Sequence, residues 1–436
     1  MPPHYLGIDV GTSGVRACLI DADAHVLDTI HTPLPAPLRD GARCEQDPQI
    51  WWQALVRVLD ELAGRRDLHT VAAVAIDATS ATLLACDAHG EPLELALMYN
   101  DRRAQSEAAR IAAIAPVESG AHGAHSSLAK ALWLSAHAPT RDARWWLHQA
   151  DWLSGRLLGR FGNSDENNAL KLGYDPVARR WPDWLANLPI DPTRLPTVVP
   201  PGTDLGPLHA QWAQRWQLPR THVVAGTTDS TAAVIATGAT GADRIGQAVT
   251  SLGSTLVLKV LAERPVFAPD YGVYSHRLGE RWLVGGASNS GGAVLRQFFS
   301  DAELRVLETQ LHPEMPTGLD YYPLPGIGER FPHSDPALPP RLEPRPADAT
   351  QFLQGLLEGI ARIEQQGYAL LHRLGAPYPS EVISIGGGAV NAAWRQMRAQ
   401  SLGVPVRLAE HQDAAYGAAL LARQGTRASP ESPLST

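Results

Sequence analysis

The sequence is poor in the features that mark disulfide-rich proteins and nucleic-acid-binding proteins. Its three cysteines, Cys18, Cys44 and Cys86, are widely spaced and odd in number, which argues against a disulfide scaffold or a zinc site. Positive charge is not in excess either, because 45 Asp and Glu residues outnumber 37 Lys and Arg residues and give a net charge of −8. We therefore expect neither nucleic acid nor an anionic membrane to be a main partner.

Long apolar runs are also lacking. No stretch approaches 18 uninterrupted apolar residues, and residues 1–11 do not show the basic region and apolar segment of a secretory signal. With 44% hydrophobic and 19% charged residues in 436, the composition is typical of an ordinary globular protein of two to three domains. The sequence thus predicts a soluble, cytoplasmic protein.

Short apolar runs alternate with amphipathic stretches, which predicts an α/β fold. Two predicted strands, Tyr5–Val10 and Val15–Ile20, flank a small-residue turn, and the second half repeats this order with Gln247–Leu252 and Thr255–Val260. Two halves built alike indicate two similar domains around a cleft.

A proline-rich loop precedes the apolar run Val223–Gly226, and the domain boundary is predicted there. The first domain would comprise residues 1–222 and the second residues 223–424. We expect that the last helix, near Asp413–Arg423, can pack back on the first domain. The polar residues 425–436 are predicted to form a disordered tail.

Four further elements are predicted from local sequence patterns. A helix over Pro48–Ala63 is predicted because Asp47 can cap it and its apolar residues share one face. Val71–Ile76 and Thr82–Cys86 are predicted to form a second pair of strands. Trp145–Leu158 is predicted to be helical.

The turn after the first strand carries side chains suited to a phosphate and a cation. Asp9, at the end of a strand, can hold a hydrated cation, and Gly11 lets backbone N–H groups come close to a phosphate. The hydroxyls of Thr12 and Ser13 add donors, although a plain hairpin with a glycine turn is the alternative. The same small-residue pattern recurs in the second half at Gly253, Ser254 and Thr255. Two such turns in matching positions favour phosphates held from both sides.

A third motif is a strand that runs into consecutive glycines. Gly386 and Gly387 leave a bare backbone ledge where a flat ring could lie, and Asn391 precedes a predicted helix over Ala392–Leu402. A plain helix cap is the alternative for Asn391, and both interpretations can hold together.

The fourth motif places Asp229 at the start of a predicted helix, Ser230–Gly238. Helix capping is the simpler role for this side chain. An ionised aspartate can also accept the proton of a hydroxyl while that hydroxyl attacks a phosphoryl group.

Taken in order, the four motifs resemble those of the FGGY family of carbohydrate kinases, a branch of the actin-like ATPase fold. The likeness runs from Leu6 to about Ala422, and Tyr99–Arg103 is similar to the family's Trp-Asn-Asp-x-Arg sugar segment. The resemblance implies two actin-like ATPase (ribonuclease H-like) domains around a central cleft. The N-terminal domain would bind sugar and the C-terminal domain nucleotide.

Finer features resemble the short plant and cyanobacterial branch thought to phosphorylate D-ribulose, among them Ile76–Ser80 and Ser126–Lys130. One departure separates the chain from ordinary xylulose kinases, which carry Gln-Met-His-Gly where this sequence has Asp77-Ala78-Thr79-Ser80-Ala81. The departure argues against a plain xylulokinase.

The resemblance also implies ATP and Mg²⁺ as cofactors and gives roles to single residues. Asp9 would help to bind Mg²⁺ and lie near the sugar, while Ser80 and Asp229 would bind the pentulose, with Asp229 as general base. Contacts to phosphate would come from Gly11, Thr12, Ser13, Gly253, Ser254 and Thr255, and the adenosine site from Gly386, Gly387 and Asn391.

The function predicted from the sequence is therefore ATP-dependent phosphorylation of a pentulose, with D-ribulose to D-ribulose 5-phosphate as the first choice. D-Xylulose or another ketose or polyol is the alternative. A non-catalytic actin-like nucleotide switch is a remote alternative. The expected partners are a small sugar and ATP, and the expected assembly is a monomer or a homodimer.

Overall fold

A computed structural model of the protein describes residues 2–240 and 242–427. Within them the chain forms two compact units. Unit 1 comprises residues 2–236 and 413–427, and unit 2 comprises the described residues between 237 and 412. Among the described residues no helix is both long enough and apolar enough to cross a bilayer.

The elements alternate along the chain as an α/β pattern requires, and this part of the fold prediction is confirmed. The strands are β1 (His4–Val10), β2 (Gly14–Ile20), β3 (Val26–Pro33), β4 (Leu38–Asp40), β5 (Arg43–Gln46), β6 (Val71–Ala78), β7 (Leu83–Cys86), β8 (Ala96–Leu97), β9 (Trp145–His148), β10 (Asn163–Asp165), β11 (Thr197–Val199), β12 (Asp204–Pro207), β13 (His222–Thr228), β14 (Gln247–Leu252), β15 (Leu256–Ala262), β16 (Tyr274–Leu278), β17 (Arg281–Ser288), β18 (Glu381–Ile385) and β19 (Val406–Leu408). The helices are α1 (Pro48–Arg65), α2 (Gln105–Ala112), α3 (Ser127–Ala136), α4 (Gln149–Leu158), α5 (Glu166–Ala169), α6 (Ala210–Arg215), α7 (Asp229–Ala236), α8 (Gly292–Leu295), α9 (Asp301–Leu307), α10 (Ala349–Arg373), α11 (Ala392–Leu402) and α12 (Ala414–Arg427).

Unit 1 is built on a six-stranded sheet with the order β12-β13-β6-β1-β2-β3. The hairpin of β1 and β2 is antiparallel, whereas β6 is parallel to both β1 and β13. The carboxyl ends of β1, β6 and β13 therefore lie side by side at one edge of the sheet.

The last helix, α12, belongs to unit 1 and packs on β1. A Cβ atom at Gly7 would lie 1.9 Å from the carbonyl oxygen of Ala415, so glycine is what lets the helix backbone approach the strand. At Gly417 of the same helix a Cβ would lie 1.9 Å from the carbonyl oxygen of Ala232 in α7. Two backbone contacts of this kind fix α12 against the sheet and against α7.

Unit 2 repeats the central part of this topology. Its six-stranded sheet has the order β16-β17-β15-β14-β18-β19, in which β14 and β15 form an antiparallel hairpin and β18 is parallel to β14. Each unit therefore contains a hairpin whose first strand also pairs with a parallel strand on its other side. The first strand is β1, beside β6, in unit 1 and β14, beside β18, in unit 2. In each hairpin a three-residue loop joins the strands, at 11–13 and at 253–255.

The predicted helix over Pro48–Ala63 is confirmed and continues to Arg65. Asp47 is its N-cap, and its side chain accepts a hydrogen bond from the amide of Gln49 at 2.9 Å. The prediction succeeded because both signals, a capping residue and an amphipathic period, are local.

Two predictions about unit 1 were wrong. Val71–Ile76 and Thr82–Cys86 do not pair, since the chain turns after β6, with Ala81 at φ 68°, and β7 joins a separate five-stranded sheet. Trp145–Leu158 is not one helix, because Trp145–His148 forms β9 beside β7 and only Gln149 onward is helical. In both cases pairing with distant strands decided the outcome.

The strand that the sequence analysis assigned to the second domain lies in the first sheet. β13 pairs in parallel with β6, and the compact units divide after Ala236 rather than after residue 222. An apolar run does not reveal which sheet it will join. In the segment predicted as a disordered tail, Gly425–Arg427 continue α12, and residues 428–436 lie outside the described residues.

Candidate active site

Three aspartates of unit 1 come together at the carboxyl edge of its main sheet. Asp9 on β1 stands in register with Asp77 on β6, and Asp77 is also in register with Thr227 on β13. Asp229 follows two residues later as the first residue of α7. Because β13, β6 and β1 are parallel neighbours, the strand order itself gathers these carboxylates.

Burial sets the electrostatics of this group. Asp9 is only 5% exposed, and its Oδ2 lies 3.1 Å from Nη1 of Arg16, its register partner on β2. Asp77 is completely buried, and no hydrogen-bond donor of the described chain reaches either of its carboxylate oxygens. Burial raises the pKa of Asp77 well above its usual value, and the negative charges of Asp9 and Asp229 raise it further. Burial also raises the pKa of Asp9, against the opposing effect of Arg16.

This arrangement fits a divalent cation. Carboxylate oxygens are the ligands that Mg²⁺ prefers, usually one or two of them with water completing the shell. Asp9, with Asp77 and its unpartnered oxygens beside it, offers that donor set. The residues present are therefore compatible with the Mg²⁺ that the family resemblance implies.

The loop after β1 forms a tight hairpin, as its alternative interpretation predicted. The amide of Gly11 donates to the carbonyl oxygen of Gly14 at 3.0 Å, and the carbonyl oxygen of Ser13 accepts from the amide of Leu34. Neither hydroxyl of Thr12 and Ser13 has a hydrogen-bond partner among the described residues. The hairpin accounts for the backbone, and the two hydroxyls stay available to a ligand.

A second group of polar atoms lies on the segments that follow β6 and β8. The hydroxyl of Ser80 and the side-chain oxygen of Asn100 are buried without a hydrogen-bond partner in the described chain. By contrast, Asp101 and Arg103 of the predicted sugar segment bind each other, with Nη2 of Arg103 2.6 Å from Oδ2 of Asp101. Ser80 and Asn100 are thus the side chains there that can take up a ligand, whereas Asp101 and Arg103 hold the segment together.

In unit 2 the two predicted nucleotide loops follow neighbouring parallel strands, β14 and β18. Gly386 has φ 88°, and a Cβ there would lie 2.8 Å from the carbonyl oxygen of Leu252, so only glycine fits. A Cβ at Gly387 would meet nothing within 4 Å. The structure brings 253–255 and 386–387 to the same edge of the sheet of unit 2.

The structure confirms the helix cap predicted at Asn391. Its side-chain oxygen accepts a hydrogen bond from the amide of Trp394 at 2.9 Å and so caps α11. Its side-chain nitrogen is buried and has no hydrogen-bond acceptor among the described residues. The cap is structural, and the nitrogen remains a donor for a ligand.

No role was predicted for Asp77, although it lies in the segment Ile76–Ser80 that resembles the family's short branch. The signal was present, because Asp77 is the second-to-last residue of β6 and Asp9 is the second-to-last residue of β1. Register between the two strands, which a single sequence does not show, was needed to connect them.

Comparisons with known proteins agree with this geometry. Models of the FGGY family of carbohydrate kinases match the chain twice, the N-terminal domain at residues 4–236 and the C-terminal domain at residues 248–424. The xylulose kinase of Escherichia coli (strain K12) is 29% identical over 455 aligned positions, covering 99% of this chain and 91% of that protein. The xylulose kinase of Klebsiella pneumoniae is 27% identical and covers 96% and 89%.

Solved structures extend the likeness to the whole fold. A crystal structure described as a xyloylose kinase from Brucella ovis has a TM-score of 0.90 at 26% identity, with 98% of this chain and 91% of that chain covered. A ligand-bound xylulose kinase from Lactobacillus acidophilus, at 20% identity, has a TM-score of 0.86 and covers 98% and 90%. The predicted actin-like fold with two domains is thereby confirmed.

The two family matches together span nearly all of the described chain. The first ends at residue 236, where the first segment of unit 1 ends, and the second begins at residue 248 in unit 2 and continues into α12 of unit 1. The prediction of a carbohydrate kinase that uses ATP with Mg²⁺ is confirmed at this level. The chain belongs to the FGGY family of carbohydrate kinases.

Proposed function

We propose that this carbohydrate kinase phosphorylates a ketopentose, with Asp229 as the base that accepts the proton of the attacking sugar hydroxyl. The observation that carries the proposal is the place of Asp229, at the start of α7 beside the strand that carries Asp77. A carboxylate there is close enough to Asp77 for its charge to raise the pKa of that residue, and Ser80, whose hydroxyl is unpartnered among the described residues, follows Asp77 by three residues.

Three side chains of unit 1, those of Ser80, Asp9 and Asp229, have separate roles in the proposed reaction. The sugar hydroxyls would meet Ser80 and Asp9, and Asp229 would take the proton as the hydroxyl attacks the terminal phosphoryl group. Mg²⁺, when bound, neutralises phosphate charge, and Asp9 would hold it. Because phosphoryl transfer depends mainly on position and charge, the rigid strand ends that carry these side chains matter more than the strength of the base.

In unit 2 the loops after β14 and β18 would hold the nucleotide. Ser254 and Thr255 would contact phosphates with their hydroxyls, as would Thr12 and Ser13 of unit 1. Gly386 and Gly387 would line the adenosine site, with the side-chain nitrogen of Asn391 as a donor. The open space beside Gly387 supports this assignment, since an added side chain would protrude into it.

D-Xylulose is the first substrate to test, because similar proteins from several bacteria are named xylulose kinases. D-Ribulose, the substrate predicted from the sequence, is less well supported by these relatives. It keeps its place as second candidate because Asp77–Ser80 departs from the xylulose kinase pattern. An acidic side chain next to the sugar site would change which hydroxyl orientation is accepted.

The decisive measurement is ADP release from ATP and Mg²⁺ with D-xylulose, D-ribulose, L-ribulose, glycerol and no sugar. Asp229→Asn serves as the blank, and we expect it to lower turnover at least about 100-fold while nucleotide affinity stays nearly unchanged. Strong turnover with one ketopentose and a silent variant would support the proposal.

Two results would contradict it. ADP release that ignores every sugar would favour the nucleotide-switch alternative. An equal loss of nucleotide affinity in Asp229→Asn would remove this residue from the role of base.

A further inference from the structure

Lysine is scarce in this protein, and one of its lysines is completely buried. The chain has three lysines among 37 Lys and Arg residues, and Lys130 on α3 is 0% exposed. Its Nζ donates hydrogen bonds to two backbone carbonyl oxygens, that of Ala81 at 2.7 Å and that of Met98 at 2.8 Å. A single side chain therefore connects two segments that are far apart in the sequence.

Each of these two segments carries one buried side-chain oxygen that has no hydrogen-bond partner among the described residues. Ala81 directly follows Ser80, whose hydroxyl is unpartnered, and Met98 lies two residues before Asn100, whose side-chain oxygen is unpartnered. Ala81 also has φ 68°, a left-handed conformation that residues other than glycine seldom adopt. Such a conformation persists only where neighbouring contacts impose it, and the bond from Lys130 is one such contact.

A second connection runs beside the first. The hydroxyl oxygen of Thr82 accepts a hydrogen bond from the amide of Tyr99 at 3.0 Å and lies 2.6 Å from the hydroxyl of Thr79. The side-chain oxygen of Gln149 in turn accepts from the hydroxyl of Thr79 at 2.6 Å. The segments 79–82 and 98–100 are thus joined at two points, one of them Lys130.

The surroundings explain why a lysine suits this place. Burial lowers the pKa of Lys130 to about 7. Asp101 and the thiol of Cys44 act against that shift, and the positive charges of Lys171 and Arg103 act with it. A neutral lysine amine still has two N–H groups, which is enough to donate to both carbonyl oxygens. An arginine guanidinium would stay charged, and its five N–H groups would need more hydrogen-bond acceptors than these two.

We propose that Lys130 is a positioning residue that sets the distance between Ser80 and Asn100 and so shapes the sugar site. The inference rests on the proposed function, in which Ser80 binds the ketopentose, and it adds Asn100, whose side-chain oxygen is also unpartnered among the described residues, as a second sugar contact. Lys130 has no part in the transfer itself, and its effect on catalysis passes through the two carbonyl groups that it holds.

The kinetic test replaces Lys130 by methionine, which keeps the length of the side chain and removes the donors. We expect Lys130→Met to raise the KM for the sugar about 10- to 100-fold, as the loss of buried hydrogen bonds implies, with the KM for ATP changed less than about twofold. The matched control is Lys259→Met, which removes a buried lysine of unit 2, whereas Lys130 lies in unit 1. This control should leave the KM for the sugar unchanged. An unchanged sugar KM in Lys130→Met would overturn the proposal.

A second measurement does not depend on turnover. With lysine labelled selectively with ¹³C, the protein gives only three lysine side-chain signals, and the Lys130→Met and Lys259→Met variants assign them. We expect the Lys130 signal to titrate near pH 7 and to shift when the best ketopentose of the panel is added without nucleotide. A Lys130 signal that ignores the sugar would contradict the proposal.

Hydrogen exchange separates failure of this inference from failure of the proposed function. In Lys130→Met the amides of 79–82 and 98–101 should exchange faster, while those of 253–255 should not. Faster exchange in these two segments would show that Lys130 connects them, even if the protein phosphorylated no sugar. If Lys130→Met does not fold, Thr82→Val loosens the second connection instead and should raise the KM for the sugar in the same direction; a normal KM there would count against the proposal.

Discussion

Arg398 and Glu364 form an ion pair inside unit 2, with Nε of Arg398 2.5 Å from Oε2 of Glu364 and both side chains wholly buried. The pair also binds two strands. Oε1 of Glu364 accepts from the hydroxyl of Thr250 at 2.6 Å, and Nη1 of Arg398 donates to the hydroxyl of Ser384 at 2.7 Å. Thr250 and Ser384 are register partners on β14 and β18, the strands that lead into the predicted nucleotide loops.

Arg398→Met should destabilise the protein, because it leaves the Glu364 carboxylate buried without its cation. Loss of one partner of a buried pair costs about 3–5 kcal/mol. Urea unfolding followed by fluorescence measures the change. The double variant Glu364→Leu with Arg398→Met removes both charges and should recover much of the loss. A single variant as stable as the wild type would refute the structural role of the pair.

The close packing of α12 on β1 gives a second prediction. Gly7→Ala would place a Cβ 1.9 Å from the carbonyl oxygen of Ala415, so the helix must move away from the sheet. We expect a loss of stability of about 1–3 kcal/mol or more, the usual cost of overpacking. Gly64→Ala is the control, since that glycine of α1 has open space around it, and alanine there should stabilise the helix by about 0.5–1 kcal/mol. The midpoint of thermal unfolding measures both effects. Equal shifts of the midpoint in Gly7→Ala and Gly64→Ala would contradict the close packing of α12 on β1.

Asp77 offers a direct test of substrate choice. Replacement by glutamine introduces the side chain of the xylulose kinase pattern and replaces the buried carboxyl group beside Asp9 by a neutral amide. If D-ribulose is the natural substrate, Asp77→Gln should shift the ratio of kcat/KM values toward D-xylulose by about tenfold, the discrimination that one polar contact provides. Asp77→Asn, with the same charge as glutamine and a shorter side chain, separates the effect of charge from that of length. A ratio unchanged in both variants would show that Asp77 does not select the sugar.

Asp165 predicts a dependence of stability on pH. Burial raises the pKa of Asp165 from the ordinary 3.8 to about 7, with the neighbouring charge of Asp151 adding to the shift. Between these values the folded protein binds more protons than the unfolded chain, so the contribution of Asp165 is fully present below about pH 4 and is lost as the pH rises to about 7.

Asp165→Asn cannot ionise and should lack this part of the pH dependence. The free energy of unfolding, measured by urea titration at intervals from pH 4 to 8, should therefore fall less steeply in the variant than in the wild type. Parallel curves for the two proteins would mean that Asp165 titrates in the folded state as it does in the unfolded chain.

Local signals in the sequence determined much of this protein. Asp47 and the amphipathic period of α1 predicted that helix nearly to its ends, and Asn391 as a candidate cap marked the start of α11. The two small-residue hairpin loops were visible for the same reason, since a turn and its flanking strands are contiguous. The order of such motifs also sufficed for the family, because it is a property of the sequence alone.

Only the tertiary structure decided which distant segments meet. It placed β13 in the first sheet, separated β7 from β6, and brought Asp77 into register with Asp9. It also brought the ammonium of Lys130 to two carbonyl groups that lie 32 and 49 residues away in the sequence. Hydrogen bonds between strands and burial of charge depend on neighbours that the chain supplies from far away, and no local pattern records them.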